Sequence, residues 1–163
     1  MIRMPKIQHI TAKKLVGIKI ATSLADDKTS LLWKRFMNLK DAIQNEVNTD
    51  LFSVQVYGEN FISGDFDTNS VFEKWAAIEV NNFDFIPKGL QKLIIPEGDY
   101  AVFTHKGTAQ QFAETSKFIF EDWLPNSDYQ LEARPHFEVL GKDYKGPEDP
   151  KSEEKIWIPV KKK

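Results

Sequence analysis

The sequence predicts an α+β fold in which one continuous antiparallel sheet carries two helices on one side. A strand-like phrase occurs twice, as EKWAAIEV over residues 73–80 and as EKIWIPV over residues 154–160. Each copy follows a loop rich in Gly, Pro, Asn and Asp, and each closes a half of the chain with the order strand, helix, strand, strand. Two such β-α-β-β units in tandem favour a shared antiparallel sheet.

The first half begins with an alternating stretch that predicts a strand over about 12–22. Asp26, Asp27 and Thr29 offer capping oxygens, and apolar residues then recur at three- and four-residue steps up to Val47, which predicts an amphipathic helix over 29–47. A period of two over residues 52–57 indicates the next strand. A turn-rich stretch leads to the strand over 73–80.

The second half repeats this order. The turn signal Pro96–Asp99 precedes a strand over 100–105, and apolar residues near helical spacing predict a helix over about 109–123. Pro125 and Asn126 stop that helix. The last two strands are expected over 136–140 and 154–160, separated by a Gly- and Pro-rich break.

Length and composition fit one domain over residues 1–163, made of two repeats over about 6–82 and 88–161. The chain has 163 residues, 41% of them hydrophobic, which is enough to bury a core. A net charge of −2 and a pI near 5.9 argue against direct nucleic-acid binding. The absence of cysteine excludes disulfides, Cys-ligated zinc and a thiol nucleophile.

The N-terminal residues Met1–Lys6 contain no apolar core of a signal peptide, and no stretch has the length of a membrane span. A cytoplasmic protein without a membrane partner is therefore expected. Three histidines (His9, His105 and His136) stand on separate elements without metal-ligand spacing, and no glycine-rich phosphate loop or Gly-x-Ser-x-Gly elbow occurs. The sequence therefore predicts neither a metal site nor a cofactor.

The strand pattern suggests a ligand-binding face. If the apolar alternates face the helices, the opposite face holds Ser53, Gln55, Tyr57, Trp75, Ala77, Glu79, His136, Glu138, Lys155, Trp157 and Pro159. Trp75 and Trp157 are candidates for the walls of an aromatic pocket, although a tryptophan can also cover the edge of a sheet. Glu138 lies in mid-strand. In an aromatic-lined pocket its carboxylate would attract a cation, and on a solvated face it would be unremarkable.

The run Ile95–Gly107 (IPEGDYAVFTHKG) resembles a signature of the GyrI-like domain, which is also the effector-binding domain of AraC-type regulators. Further similar motifs are Trp123-Leu124-Pro125 with Tyr129, Phe137-Glu138-Val139, Ile156–Val160, and, in the first half, Leu32–Phe36 and Phe72–Val80. The resemblance covers nearly the whole chain. It implies a tandem β-α-β-β fold with a ligand groove at the pseudo-twofold seam, and binding of small, often cationic and aromatic compounds.

The resemblance places the family's central pocket acid on Glu138. Some members carry an acid just before the final Ile-aromatic-Ile-Pro-Val run, where this chain has Lys155, and a lysine in the groove would repel cations. The expected ligand-binding residues are Glu138, Trp75, Trp157, Glu79, Tyr57, Tyr100, Gln55, Phe103 and His136.

Three functions follow from these residues and the resemblance. The leading one is a stand-alone small-molecule-binding protein, linked to transcription through a regulator as partner. The second is a hydrolase of reactive electrophiles, in which Glu138 activates water while Tyr57 or Tyr100 donates a proton. The third is a module that binds a protein partner such as gyrase.

Overall fold

The computed structural model describes residues 4–163, so Met1–Arg3 of the N-terminal segment lie outside the description. The strands are β1 (Lys6–Ile10), β2 (Lys13–Thr22), β3 (Leu51–Val56), β4 (Phe72–Val80), β5 (Gln91–Ile95), β6 (Gly98–Lys106), β7 (Tyr129–Leu131), β8 (His136–Leu140) and β9 (Glu153–Lys162). The helices are α1 (Thr29–Met37), α2 (Glu59–Ser63) and α3 (Phe112–Lys117). A π-helix (Phe118–Trp123) and the short α4 (Leu124–Asn126) continue α3. The order strand, helix, strand, strand therefore occurs twice, as expected.

The first predicted helix is too long. It ends at Met37, and the chain then makes a 3-10 turn over Lys40–Ala42 and becomes extended at Ile43. Ile43 nevertheless packs against Leu32 and Phe36 in the same buried cluster. The apolar residues keep a helical spacing beyond Met37 because the segment after the helix packs its apolar side chains against the same buried cluster.

Within the described residues, the strands form one antiparallel sheet in the order β1-β6-β9-β8-β3-β4-β2-β5, with β7 added beside β9. The sheet closes on itself. Ile10 pairs with Gly98 and Lys13 pairs with Ile95, so the β1–β6 and β2–β5 pairings keep one common register. Together they form a single antiparallel ladder, interrupted where Pro96 has no N–H to donate. This ladder joins the two ends of the sheet into a ring.

The ring has a pseudo-twofold axis that can be read from the strand pairing. Phe52 on β3 pairs with Ala77 on β4, and Phe137 on β8 pairs with Trp157 on β9. The axis relates the first of these pairs to the second. The same equivalence relates Ser53 to Glu138. Because Ser53 and Glu138 also pair with each other across the β3–β8 ladder, the axis passes between them.

The two faces of the sheet are both buried, but against different partners. The side chains inside the ring form one core cluster, namely Leu15, Phe52, Val54, Trp75, Ala77, Ile95, Tyr100 and Phe137. On the outer face, α1 covers Val16, Ala76 and Ile78 in the first half. The π-helix that continues α3 covers Ala101, Phe103 and Ile156 in the second half. Both helical layers therefore lie on the same face, with β3 and β8 in the seam between them.

Candidate ligand-binding site

Glu138 lies in the middle of β8, on the helix-bearing face and beside the pseudo-twofold axis. The residue is 8% exposed. Its Oε1 accepts a hydrogen bond of 3.0 Å from Nε2 of Gln55 on β3. Burial raises the pKa of the Glu138 carboxyl, whereas the charge of Lys74 and the hydrogen bonds from Gln55 and Ser53 lower it. The site thus centres on a partly desolvated carboxyl group with one firm hydrogen-bond donor.

Aromatic side chains cover the seam next to Glu138. This aromatic cover consists of Tyr57, Phe61, Phe66, Phe72 and Phe120. Tyr57 stacks on Phe61 of α2 at 4.0 Å between ring centroids, and Phe61 meets Phe120 edge-to-face at 5.6 Å. Phe120 belongs to the π-helix, a rare geometry that is frequent at functional sites. The cover therefore joins the first half of the chain to the second across the seam.

His136 forms the floor beneath this cover. Its ring lies 4.9 Å from Tyr57, 5.1 Å from Phe61 and 6.1 Å from Phe120, measured between centroids. Burial lowers the pKa of His136 to about 3, so the imidazole is neutral at physiological pH. His136 consequently adds a polar aromatic surface to the site without adding a positive charge.

A second carboxyl group belongs to the site and was missed by the sequence interpretation. Burial and the negative charge of Glu138 raise the pKa of Glu154 on β9 to about 8, although the positive charge of Lys74 lowers it. The sequence contained a signal for this residue, because Glu154 shares the alternation of the buried residues Ile156 and Ile158. A carboxylate on an otherwise apolar face is an informative exception.

The predicted face is wrong for several residues, since the structure divides the predicted set among different surroundings. Glu138, Gln55, His136 and Tyr57 do lie together in the seam. Four other predicted residues lie on the inner face of the ring, namely Trp75, Trp157, Glu79 and Tyr100. Phe103 lies on the helix-bearing face, but it packs under Trp123 of the π-helix at 5.2 Å.

The error has a physical cause. The apolar alternates of β3 and β8, such as Phe52 and Phe137, face the interior of the closed ring and not the helices. Trp157 stacks on Phe137 at 5.4 Å as part of that packing. Ring closure buries the face that an open sheet would leave to solvent, so hydrophobicity alone could not identify the helix-bearing face.

Lys155, the expected departure from the family pattern, also lies on the inner face. Its Nζ donates a hydrogen bond of 2.7 Å to Oγ1 of Thr104, and the residue is exposed. Lys155 therefore does not face Glu138. The lysine that acts on the site is Lys74 of β4, whose charge lowers the pKa of both Glu138 and Glu154.

Two open surface clefts, of about 430 and 440 Å³, lie away from Glu138. The first borders Glu114, Phe118 and Asp122 on the α3 side, and the second borders His9, Gly98 and Arg134. Among residues 4–163, no group of three or more His, Asp or Glu side chains could hold a metal ion. None of the helices in the same range combines the length and apolar character needed to cross a bilayer.

A carboxyl group beside aromatic side chains is the combination of one polar group with apolar walls that small-molecule sites use. The sequence profile of the GyrI-like small molecule binding domain matches residues 3–161. The chain therefore belongs to the GyrI-like family.

Similar proteins include a transcriptional regulator and several solved structures. The transcriptional regulator BrlR of Pseudomonas aeruginosa is 31% identical over 159 residues, which is 95% of this chain and 54% of BrlR. The chain thus spans about half the length of this relative. The structure of SAV2435 bound to tetraphenylphosphonium has a TM-score of 0.73 at 18% identity, covering 98% of this chain and 94% of SAV2435. The EcmrR C-terminal domain has a TM-score of 0.72 at 11% identity, covering 100% of this chain and 99% of that domain.

Proposed function

We propose that this chain binds an amphipathic aromatic compound carrying a positive charge, with Glu138 as the central anion and the aromatic cover as the walls. The observation that carries this proposal is the position of Glu138. It is a buried carboxyl group beside the pseudo-twofold axis, two residues from His136, whose ring contacts Tyr57 and Phe61 of the aromatic cover. A cation bound there gains both charge attraction and cation–π contact.

The chemistry of Glu138 supports binding of a cation. A buried carboxyl group with a raised pKa ionises when a cation binds beside it. The positive charge of the ligand then compensates for the hydration that the carboxylate lost on burial. Tetraphenylphosphonium, the compound in the SAV2435 structure, combines four aromatic rings with one delocalised positive charge. It is therefore a suitable probe for this chain.

Access to Glu138 requires movement of the aromatic cover. Glu138 is 8% exposed, and Tyr57 and Phe61 close the seam above His136. The helix that carries Phe61, α2, has only five residues and ends at Gly64 in the left-handed conformation. So short a helix is held mainly by its side-chain contacts, so it can move away when a ligand offers replacement aromatic contacts.

Isothermal titration calorimetry with tetraphenylphosphonium tests the proposal. We expect saturable one-site binding by the unmodified chain and at least a tenfold loss of affinity in Glu138→Gln, which keeps the shape but removes the charge. Glu79→Gln is the matched control, since Glu79 lies on the inner face paired with Lys13. No binding, or equal binding by Glu138→Gln and the unmodified chain, would contradict the proposal.

A link to transcription is part of the same proposal. The relative BrlR is a transcriptional regulator about twice as long as the matched region. We propose that ligand binding in this chain is communicated to a regulator as partner. The partner protein could bind equally well to the unmodified chain, to Glu138→Gln and in the presence of tetraphenylphosphonium. That result would favour an interaction module instead.

A hydrolase is the second candidate, favoured by the electrostatic effect of Glu138 on the Tyr57 hydroxyl. Burial raises the pKa of the Tyr57 hydroxyl, and the negative charge of Glu138 raises it further, so the hydroxyl keeps its proton. Glu138 would accept a proton from the attacking water and Tyr57 would protonate the leaving oxygen. Hydrolysis of styrene oxide that is lost in Tyr57→Phe but retained in Tyr100→Phe would support this reaction, whereas no hydrolysis would exclude it for epoxides.

A further inference from the structure

The two halves place a basic and an acidic side chain at equivalent positions on either side of Glu138. Lys74 pairs with Gln55 on the β4 side of the seam. On the other side, the β8–β9 register places Ile156 opposite Glu138, with Glu154 two residues along the same face. The pseudo-twofold axis relates Ala77 to Trp157. It therefore also relates Lys74 to Glu154, each of which lies three residues earlier in its strand. The pseudo-twofold axis thus exchanges an ammonium group and a carboxyl group.

Lys74 acts on both carboxyl groups. Lys74 lowers the pKa of Glu138 and Glu154, and Glu138 raises that of Glu154, so the three groups form one electrostatic unit. The other polar side chains that face Glu138 are Ser53 and Gln55 on β3, His136 on β8 and Tyr57 in the cover. Within residues 4–163, no carboxylate oxygen lies within 4.0 Å of the Lys74 ammonium.

We propose that the site takes a dipolar ligand, with its cationic end at Glu138 and Glu154 and an anionic or strong acceptor group at Lys74. This inference rests on the proposed function and adds the charge pattern of the ligand to it. The strands that carry Lys74 and Glu154 are three spacings apart, about 14 Å across the sheet, and the two residues are further offset by four positions along their strands. That width suits a fused aromatic ring system whose positive and negative groups are separated.

A simple lipophilic cation uses only part of this arrangement. Its rings would cover the seam and remove water from the Lys74 ammonium without offering it an acceptor, and desolvating an unpaired charge is costly. A ligand that brings its own carboxylate replaces that lost hydration. Lys74 is therefore the specificity-determining residue, and it selects zwitterions over plain cations of the same size.

Rhodamine 110 and rhodamine 123 provide a matched pair of probes. The two dyes share the cationic xanthene, but rhodamine 110 has a free carboxylate where rhodamine 123 has its methyl ester. Fluorescence polarisation at pH 7.5 should show that the unmodified chain binds rhodamine 110 about tenfold more tightly than rhodamine 123. In Lys74→Met that preference should disappear, with rhodamine 123 bound more tightly than before.

Two variants separate a charge effect from a structural one. Lys74→Arg keeps the positive charge and should retain the preference for rhodamine 110. Lys19→Met removes a lysine from the inner face, where it contacts Glu73, and should change neither affinity. Thermal unfolding of each variant confirms that it is folded before the dyes are compared.

The outcomes distinguish this inference from the proposed function. If both dyes bind and depend on Glu138, but Lys74→Met leaves their affinity ratio unchanged, the dipolar ligand is excluded and the cation site stands. If Glu138→Gln binds both dyes as tightly as the unmodified chain does, the proposed function fails as well. If neither dye binds the unmodified chain at 100-fold molar excess, the result contradicts both the inference and the proposed function.

Discussion

Gln55 and Glu138 lie on the neighbouring strands β3 and β8, and the Gln55 amide donates a hydrogen bond of 3.0 Å to the Glu138 carboxyl while both residues are buried. This bond opposes the burial that favours the neutral acid, because a donor stabilises the ionised form. Gln55 is therefore a positioning residue that keeps Glu138 available as an anion.

Replacing Gln55 with Leu should weaken the binding of tetraphenylphosphonium at pH 7 by about five- to twentyfold, since a hydrogen bond to a charged group contributes about 1.5 kcal/mol or more. The loss should shrink as the pH rises, because Glu138 then ionises without the donor. Calorimetric titrations between pH 6 and 9 measure this. Gln130→Leu, which removes an exposed amide that donates to the Lys162 carbonyl, is the control. Equal pH profiles for Gln55→Leu and the unmodified chain would refute the role of Gln55.

Glu154 should make the fold less stable as the pH rises. Burial and the charge of Glu138 raise its folded-state pKa to about 8 from the ordinary value of 4.5, so the native state binds the proton more tightly than the unfolded chain. The stability from this group is complete below pH 4.5 and is lost progressively up to about pH 8. Glu154→Gln should therefore be more stable than the unmodified chain at pH 8.5, by on the order of 4 kcal/mol.

Urea unfolding at pH 5 and pH 8.5 measures this difference. Glu153→Gln is the matched control, since Glu153 lies next in sequence and forms only a partly exposed salt bridge with Lys106. We expect Glu153→Gln to change the stability by less than about 1 kcal/mol at either pH. A stability difference for Glu154→Gln that does not depend on pH would show that Glu154 ionises normally in the folded protein.

The alternation in the sequence located most of the sheet but could not orient it. The strands β4, β8 and β9 were predicted within one or two residues, because apolar and β-branched residues recur there with a period of two. The strand β1 and the short helix α2 were missed. The strand β1 is almost wholly exposed, and α2 has no apolar periodicity long enough to detect.

Residues of the candidate site could be predicted only where a family-like sequence motif lies on a strand of the site. Glu138 was found because it interrupts an apolar strand inside a family-like motif. Phe61, Phe66 and Phe120 were not found, because the loop and the π-helix that bring them together are tertiary features. Trp75 and Trp157 were assigned to a pocket because an open sheet would expose them, whereas the closed ring buries Trp75 completely and Trp157 in part.

His136 should make the fold sensitive to acid. Burial lowers its folded-state pKa to about 3 from the ordinary value of 6.5, so the unfolded chain binds the proton first as the pH falls. Stability from the neutral imidazole is complete above pH 6.5 and is lost towards pH 3. At pH 5 this loss is about 2 kcal/mol, from 1.36 kcal/mol for each pH unit below 6.5.

His136→Phe should remove that loss, because phenylalanine fits among the aromatic rings and does not titrate. The measurement is the free energy of unfolding of both proteins in urea at pH 7.5 and pH 5. The decrease between the two pH values should be about 2 kcal/mol smaller in His136→Phe. An identical decrease in both proteins would mean that His136 is protonated in the folded state, and the floor of the site would then carry a positive charge.

Phe61 should control how fast a ligand reaches Glu138. Its ring stacks on Tyr57 at 4.0 Å and meets Phe120 at 5.6 Å, so it is the contact through which α2 closes the seam. Removing the ring in Phe61→Ala should favour the open state of α2 and raise the association rate of rhodamine 123 several-fold, with faster amide exchange over residues 57–66. Ile62→Ala is the matched control, since Ile62 is the next residue of α2 and is 49% exposed. Stopped-flow fluorescence and hydrogen exchange measure the two effects. If Phe61→Ala and Ile62→Ala behave alike, α2 is not the barrier to entry, and the ligand must reach Glu138 by another route.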